Sequence, residues 1–427
     1  MKMRHSRVVR FVASLLLLSA IGATPLPCAG AVTNDAVVIS SNTVWAEDVY
    51  VLSNLIVQDG ATLSVAGGAT VDVAVLLMVS GSNSTILCRG KNNSGMVSGQ
   101  WAGVGVVINA GTAIVAATSR ISADAQGYTS VGLGTRGNGP GGGAQGGATG
   151  GGGGGYGGWG GNGDGGAGGA PYGSQYNPVD LGSGGGCGDE GTAAGHGGGA
   201  INLTVGNTLM LDGIISANGG NGTVNDCAGG SGGSILARVG TLNGSGRFMA
   251  NGGNGTAYAG AGGGGRVAVY YAGQSFSGFT NSTVSGGATR PGGVGTITFI
   301  DTSVSNGVMR ITQNFAMDEN TMLTLGELSV ENGATLTIGG GSVINVSGTL
   351  RVKEASTIVL KAKNTTGMVS GVWAGVGVTI NARTIAVDSN CVMSANAQGY
   401  TSVGLGTRGN GPGGGAQGGA TGGGGGG

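Results

Sequence analysis

Apolar side chains alternate with small or polar ones in short runs along most of this chain. AINLTV at 200–205, SILARV at 234–239 and RVAVYY at 266–271 put every second side chain on one face, the period of a pleated strand. TLTIGGGSVINVSGTLRV at 335–352 continues the pattern through short breaks of Gly, Ser and Asn. Gly, Asn and Asp tolerate the positive φ that a tight corner requires. No window keeps helical spacing. The pattern therefore predicts an all-β chain of many short strands.

Repetition decides how those strands are arranged. Residues 95–130 recur at 367–402 with an offset of 272, and 125–155 match 397–427 without a difference. DGATLSVAGGATVDV at 59–73 also aligns with NGATLTIGGGSVINV at 332–346. A shorter period lies inside this unit: Asn218 and Asn251 are 33 residues apart, Ile201 and Ile235 are 34, and Ile235 and Val267 are 32. Periods of 20–50 residues mark solenoids. The fold expected is a right-handed parallel β-helix with long glycine-rich loop insertions. Its segments are 32–131 as a first β-helix part, 132–199 as a glycine-rich insertion, and 200–300 as the part with ~33-residue repeats. Residues 301–403 form a second copy of the first part, and 404–427 the start of a second insertion. Because the sequence stops within that second glycine run, it reads as a fragment of a longer repetitive protein.

Composition sharpens the picture. Glycine supplies 102 of 427 residues, roughly three times ordinary usage. Hydrophobic residues still make up 39%, the formal net charge is zero and only 9% of residues are charged. Disordered chains combine low hydrophobicity with high net charge, and nucleic-acid binders carry a basic stripe; neither description fits. The one basic cluster, Lys2, Arg4, Arg7 and Arg10, precedes an apolar stretch at 11–21 and the small residues Ala29-Gly30-Ala31. Together these read as a signal peptide over 1–31, with a mature chain beginning near Val32. Secretion would remove Cys28 and leave Cys88, Cys187, Cys227 and Cys391. Cys88 and Cys391 read as small buried hydrophobes, and Cys187 and Cys227 as residues that could pair across loops.

Residues 132–199 are low in complexity and lack the Gly-X-Y register of collagen. Glycine loses the most backbone entropy on ordering, and few apolar side chains are present to offset that loss. A flexible loop is expected. The alternative is a bundle of extended polyglycine strands, anchored only by Tyr156, Trp159 and Tyr172.

Motifs that could carry chemistry are sparse. Gly195-His196-Gly197 resembles an element of pectin-degrading polygalacturonases, but glycoside hydrolysis needs paired carboxylates, and no Asp-Asp or Asn-Thr-Asp accompanies it. Asp189 and Glu190 lie nearby in the same glycine-rich stretch. Gly219-Gly220-Asn221-Gly222 and Gly160-Gly161-Asn162-Gly163 are similar to the calcium-binding nonapeptide. Val224 and Gly165 stand where its aspartate ligand should be, and Asp164, Asp189, Glu190 and Asp226 are scattered. The run 262–265 before Arg266 lacks the Lys-Ser/Thr of a phosphate loop. Trp101 and Trp373 occupy one slot in the two copies and read as packing residues rather than glycan platforms. No catalytic, cofactor-binding or metal-ligating residue is assigned.

Gly198-Gly199-Ala200-Ile201, its variant Gly232-Gly233-Ser234-Ile235, and Phe248-Met249-Ala250-Asn251 resemble the GGAI and FxxN elements of the polymorphic outer-membrane proteins of chlamydia-like bacteria. More broadly, the chain is similar to autotransporter and haemagglutinin-type adhesins. Residues 195–270 carry the likeness. It implies a β-helical surface passenger that mediates adhesion, with surface glycans or other cells as partners. The function expected is an exported structural or adhesive repeat protein, secreted or at the cell surface, non-catalytic and without a cofactor. No membrane anchor is visible in the sequence. The alternative is a polysaccharide lyase or glycoside hydrolase on the same scaffold, since one fold hosts both tasks.

Overall fold

A computed structural model describes residues 36–189, 193–402, 407–418 and Gly426. The expected signal peptide at 1–31, Glu190, and 404–406, 419–425 and 427 of the expected second insertion lie outside the described residues. Every regular element among the described residues is a β-strand, and none is a helix.

The alternating runs form strands that pair side by side in parallel, each on the equivalent run of the next repeat. Ala200–Leu211 pairs with Ser234–Gly244, which pairs with Arg266–Phe276 and then Thr296–Asp301. Registers match like with like: Val106, Ile201, Ile235, Val267 and Ile297 form one column of successive partners. Ile108, Leu203, Ala237, Val269 and Phe299 form the next. All ten are buried. A one-residue slip would turn each column toward solvent, so the alternation fixes the register. A fully buried Val, Leu or Ile contributes about 1.5–3 kcal/mol, and the columns repeat that contribution from strand to strand.

Thirteen strands make the main sheet, from Ala36–Ile39 to Thr379–Val387. Short strands between the long ones make a second sheet of six, running from Thr43–Trp45 to Arg247–Met249. A third, of four, begins at Phe315–Met317 and continues through Thr335–Ile338, Thr357–Leu360 and Val392–Ser394. As far as Arg266–Phe276 the chain visits the main sheet and a short sheet in alternation. Thr296–Asp301 and Val308–Ile311 then follow directly in the main sheet, and the alternation resumes with Phe315–Met317, interrupted where Met322–Leu325 and Glu327–Val330 succeed each other. Among the described residues the one antiparallel strand pair joins Thr296–Asp301 to Val308–Ile311. One hydrophobic core runs as far as Phe299 and a second begins at Ile300.

Glycine segments supply a further face. After Ile214–Ser216 and after Arg247–Met249 the chain runs through 217–233 and 250–265 before returning to the main sheet. These arms pack with 137–188, and hydrogen bonds radiate with a period of three residues. Gly151 and Gly154 donate to Asp226 and Gly229 (3.0 Å each), and Gly152 and Gly155 to Ala144 and Gly141 (2.9 and 2.8 Å). Gly153 donates to Gly161 (2.9 Å). In turn Gly260 and Gly263 donate to Gly151 and Gly154 (2.9 and 2.8 Å). Bonds that return to the same neighbour every third residue mark extended chains with three residues per turn, as in polyproline II and collagen.

The expected flexible loop over 132–199 is therefore corrected for the described part of that stretch. Residues 150–156 are buried, and the amides of Gly151 to Gly155 are bonded to carbonyls of neighbouring extended stretches. Apolar side chains are not the only compensation for ordering such a stretch. With no Cβ, backbones approach closely enough to satisfy one another and to exclude water, which offsets the entropy loss. A Cβ at any of Gly151 to Gly155 would come within 3.0 Å of a neighbouring backbone. Tyr156 and Tyr172 do anchor the bundle: Tyr156 Oη shares a 2.6 Å hydrogen bond with Ser234 Oγ, and Tyr172 Oη donates to the Leu181 carbonyl at 2.5 Å. Trp159 does not anchor it, being 60% exposed.

Candidate functional site

The residues singled out by motif do not converge. His196 is exposed; partial burial of its ring lowers its pKa, while its carbonyl accepts the Gly220 amide at 2.8 Å. Asp189 is exposed, and its amide bonds to Gly147 at 2.7 Å. Asp164 is ion-paired with Arg290 at 2.7 Å. Asp226 is buried at a positive φ of 65°, with its carbonyl receiving amides of the bundle. Among the described residues no three His, Cys, Asp or Glu side chains cluster so as to hold a metal ion.

The repeated asparagines do something the motif comparison missed. Asn218 Oδ1 accepts the Asn251 amide, and Asn251 Oδ1 accepts the Ser285 amide, both at 2.8 Å. A second row runs from Asn221 to the Asn254 amide and from Asn254 to the Ala288 amide, again at 2.8 Å. Asp124 begins the first row, accepting the Asn218 amide at 2.6 Å. These side chains fasten each repeat to the next where β-pairing has ended. The signal was present in the 33-residue spacing of Asn218 and Asn251.

Trp101 packs edge-on against Tyr128, with ring centroids 5.1 Å apart and planes at 69°. Trp373 and Tyr400 repeat this at 5.2 Å and 71°. Both tyrosine hydroxyls accept a glycine amide, from Gly103 at 2.9 Å and Gly375 at 3.0 Å. These tryptophans are structural. Cys187 and Cys227 form a disulfide within the bundle. Cys88 is buried, which pushes its thiol pKa up to about 12, and Cys391 is half-buried.

A concavity lies where the glycine bundle meets the third sheet, a cleft of about 450 Å³. Its floor is the outer face of two paired strands. Phe315 and Met317, then Leu336 and Ile338, point into the core, leaving Ala316 and Asp318 beside Thr335 and Thr337 outside. Its wall is the bundle, with Trp159 at the lip. The Trp159 carbonyl accepts the Gly293 amide at 2.7 Å, so the backbone is held while the indole projects. Gln175 ties wall to floor, donating to the Ala316 carbonyl at 2.7 Å.

Arg266 closes the back of the cleft and is 3% exposed. Its Nε donates to the Tyr172 carbonyl (2.9 Å), Nη1 to Thr296 Oγ1 (3.2 Å) and Nη2 to the Tyr156 carbonyl (3.4 Å). The Tyr156 ring lies 5.5 Å from the guanidinium. Burial lowers the Arg266 pKa, opposed by the charges of nearby groups that include Asp318 and Asp180. Six separated stretches, 157–159, 171–175, 266, 293–296, 314–318 and 335–337, build this cleft, so no local motif announces it. No family model, curated protein or solved structure matches the chain.

Proposed function

We propose that this chain is an exported structural and adhesive repeat protein of the bacterial cell surface, non-catalytic, with its coils wound as a right-handed parallel β-helix. The alternating visits to two sheets with parallel registers support the winding, and parallel crossovers are overwhelmingly right-handed. The observation that carries the functional reading is what the duplication preserves. The Trp–Tyr pairs, their amide bonds and the turns around Lys91–Val104 and Lys363–Val376 recur at the same geometry. These are elements of scaffolding. Repeating a scaffold lengthens it and multiplies weak contacts, raising avidity. The disulfide and the leader-like N-terminus favour an oxidising compartment outside the cytosol.

The test pairs two assays on the purified protein: retention of protein-coated beads on bacterial and host cells, and release of reducing or unsaturated ends from pectin, alginate and chitin. Retention above that of albumin-coated beads, with no turnover, is expected. Turnover abolished by replacing cleft or His196 side chains would replace this reading with a polysaccharide-degrading enzyme.

A further inference from the structure

We infer that the cleft between the glycine bundle and the third sheet binds a neutral oligosaccharide, with the Trp159 indole as its stacking platform. This deepens the adhesive reading and rests on it for its biological setting, while the ligand class follows from the cleft itself.

An indole held by its backbone and 60% exposed leaves a large apolar face in water. The CH face of a pyranose covers such a ring while its hydroxyls point to the edges, where polar groups must meet them. The floor supplies these. Thr335 and Thr337 offer hydroxyls, each a donor and an acceptor. Asp318 is exposed, and among the described residues no hydrogen bond or salt bridge engages its carboxylate, so its oxygens can accept from adjacent sugar hydroxyls. Three N–H groups of Arg266 are engaged, out of the five a guanidinium carries. Ala316, between Asn314 and Asp318 on the outer face, is small and leaves room over the strand. The volume of about 450 Å³ falls within the usual range for small-molecule sites.

Charge selects the class. A carboxylate on the floor opposes a uronate or sialate, and Arg266 behind it balances that carboxylate rather than leaving a free positive site. A neutral sugar uses acceptor and donor together. A peptide would find no continuous apolar groove, because the floor carries Thr and Asp at the outward positions.

The experiment titrates the whole chain with hexasaccharides of glucose, mannose, galactose and N-acetylglucosamine, and with sialyllactose and oligogalacturonate as acidic probes. Binding is read by calorimetry and saturation-transfer NMR. At least one neutral probe should bind with a Kd below about 1 mM. Trp159→Ala and Asp318→Asn should each weaken it on the order of tenfold, with unchanged circular dichroism because both side chains are exposed. No neutral probe bound at about 10 mM, binding of acidic probes alone, or full affinity in both variants would overturn the inference. Beads coated with Trp159→Ala separate the two claims. Cell retention without saccharide binding would remove the cleft and keep the adhesive reading. Saccharide binding by the wild type without cell retention would do the reverse.

Discussion

Replacing Gly153 by alanine adds one methyl group at the centre of the glycine bundle. Gly153 has no positive φ, so alanine can adopt its backbone conformation. In a loop, such a change would stabilise the protein by about 0.4–1 kcal/mol, because alanine restricts the unfolded chain. Here the added Cβ would fall well within 3.0 Å of the Ala261 carbonyl. That carbonyl also accepts the Gly161 amide at 2.8 Å, so relieving the overlap disturbs a buried hydrogen bond. Overpacking costs about 1–3 kcal/mol and an unsatisfied buried amide about 1–3 kcal/mol. The net effect expected is a loss of roughly 1–5 kcal/mol once the unfolded-state gain is subtracted. Gly206→Ala is the control. It sits in the Ala200–Leu211 strand with its nearest neighbouring atom 4.0 Å away, and should be neutral or slightly stabilising. Urea midpoints followed by near- and far-ultraviolet circular dichroism compare the two. A Gly153→Ala protein as stable as wild type, or more so, would refute the close-packed bundle.

Three further outcomes are expected. Replacing Cys187 and Cys227 by alanine opens a crosslink spanning 40 residues, for which chain entropy gives a loss of up to roughly 4 kcal/mol; an unchanged urea midpoint would contradict this. Asn218→Ala leaves the Asn251 amide without its acceptor and should cost about 1–3 kcal/mol and speed hydrogen exchange at Asn251, whereas Asn218→Asp should restore protection. Cys88, with its pKa pushed up to about 12 by burial, holds almost no thiolate at pH 8; peptide mapping after iodoacetamide should find it unmodified until urea unfolds the chain, and rapid native labelling would contradict its burial.

The strands were legible because their information is local. Alternation in AINLTV, SILARV and RVAVYY gives the face, and the 34- and 32-residue spacings of Ile201, Ile235 and Val267 give the partner. Those residues do stack in one column. The bundle was not legible, because its stability lies between segments distant in sequence: Gly154 bonds to Gly229 and receives Gly263. Composition counts side chains, and here the compensating contacts are backbone to backbone. The cleft failed to show for a related reason. Trp159, Arg266, Asp318 and Thr335 come from four stretches, none with a motif, and Trp159 stands out in sequence only as an anchor of the alternative polyglycine bundle, whereas it is exposed. The Asn rows fall between these cases, visible as a spacing but not as a hydrogen-bonding role.

The most direct test of the account is amide hydrogen exchange of the full chain, resolved by mass spectrometry to peptides covering 150–156 and 200–211. The hydrogen-bonded glycine bundle predicts that Gly151 to Gly155 exchange as slowly as the Ala200–Leu211 strand beside which the chain returns. Exchange of 150–156 at the rate of an unstructured peptide, with 200–211 still protected, would contradict it and restore the flexible loop.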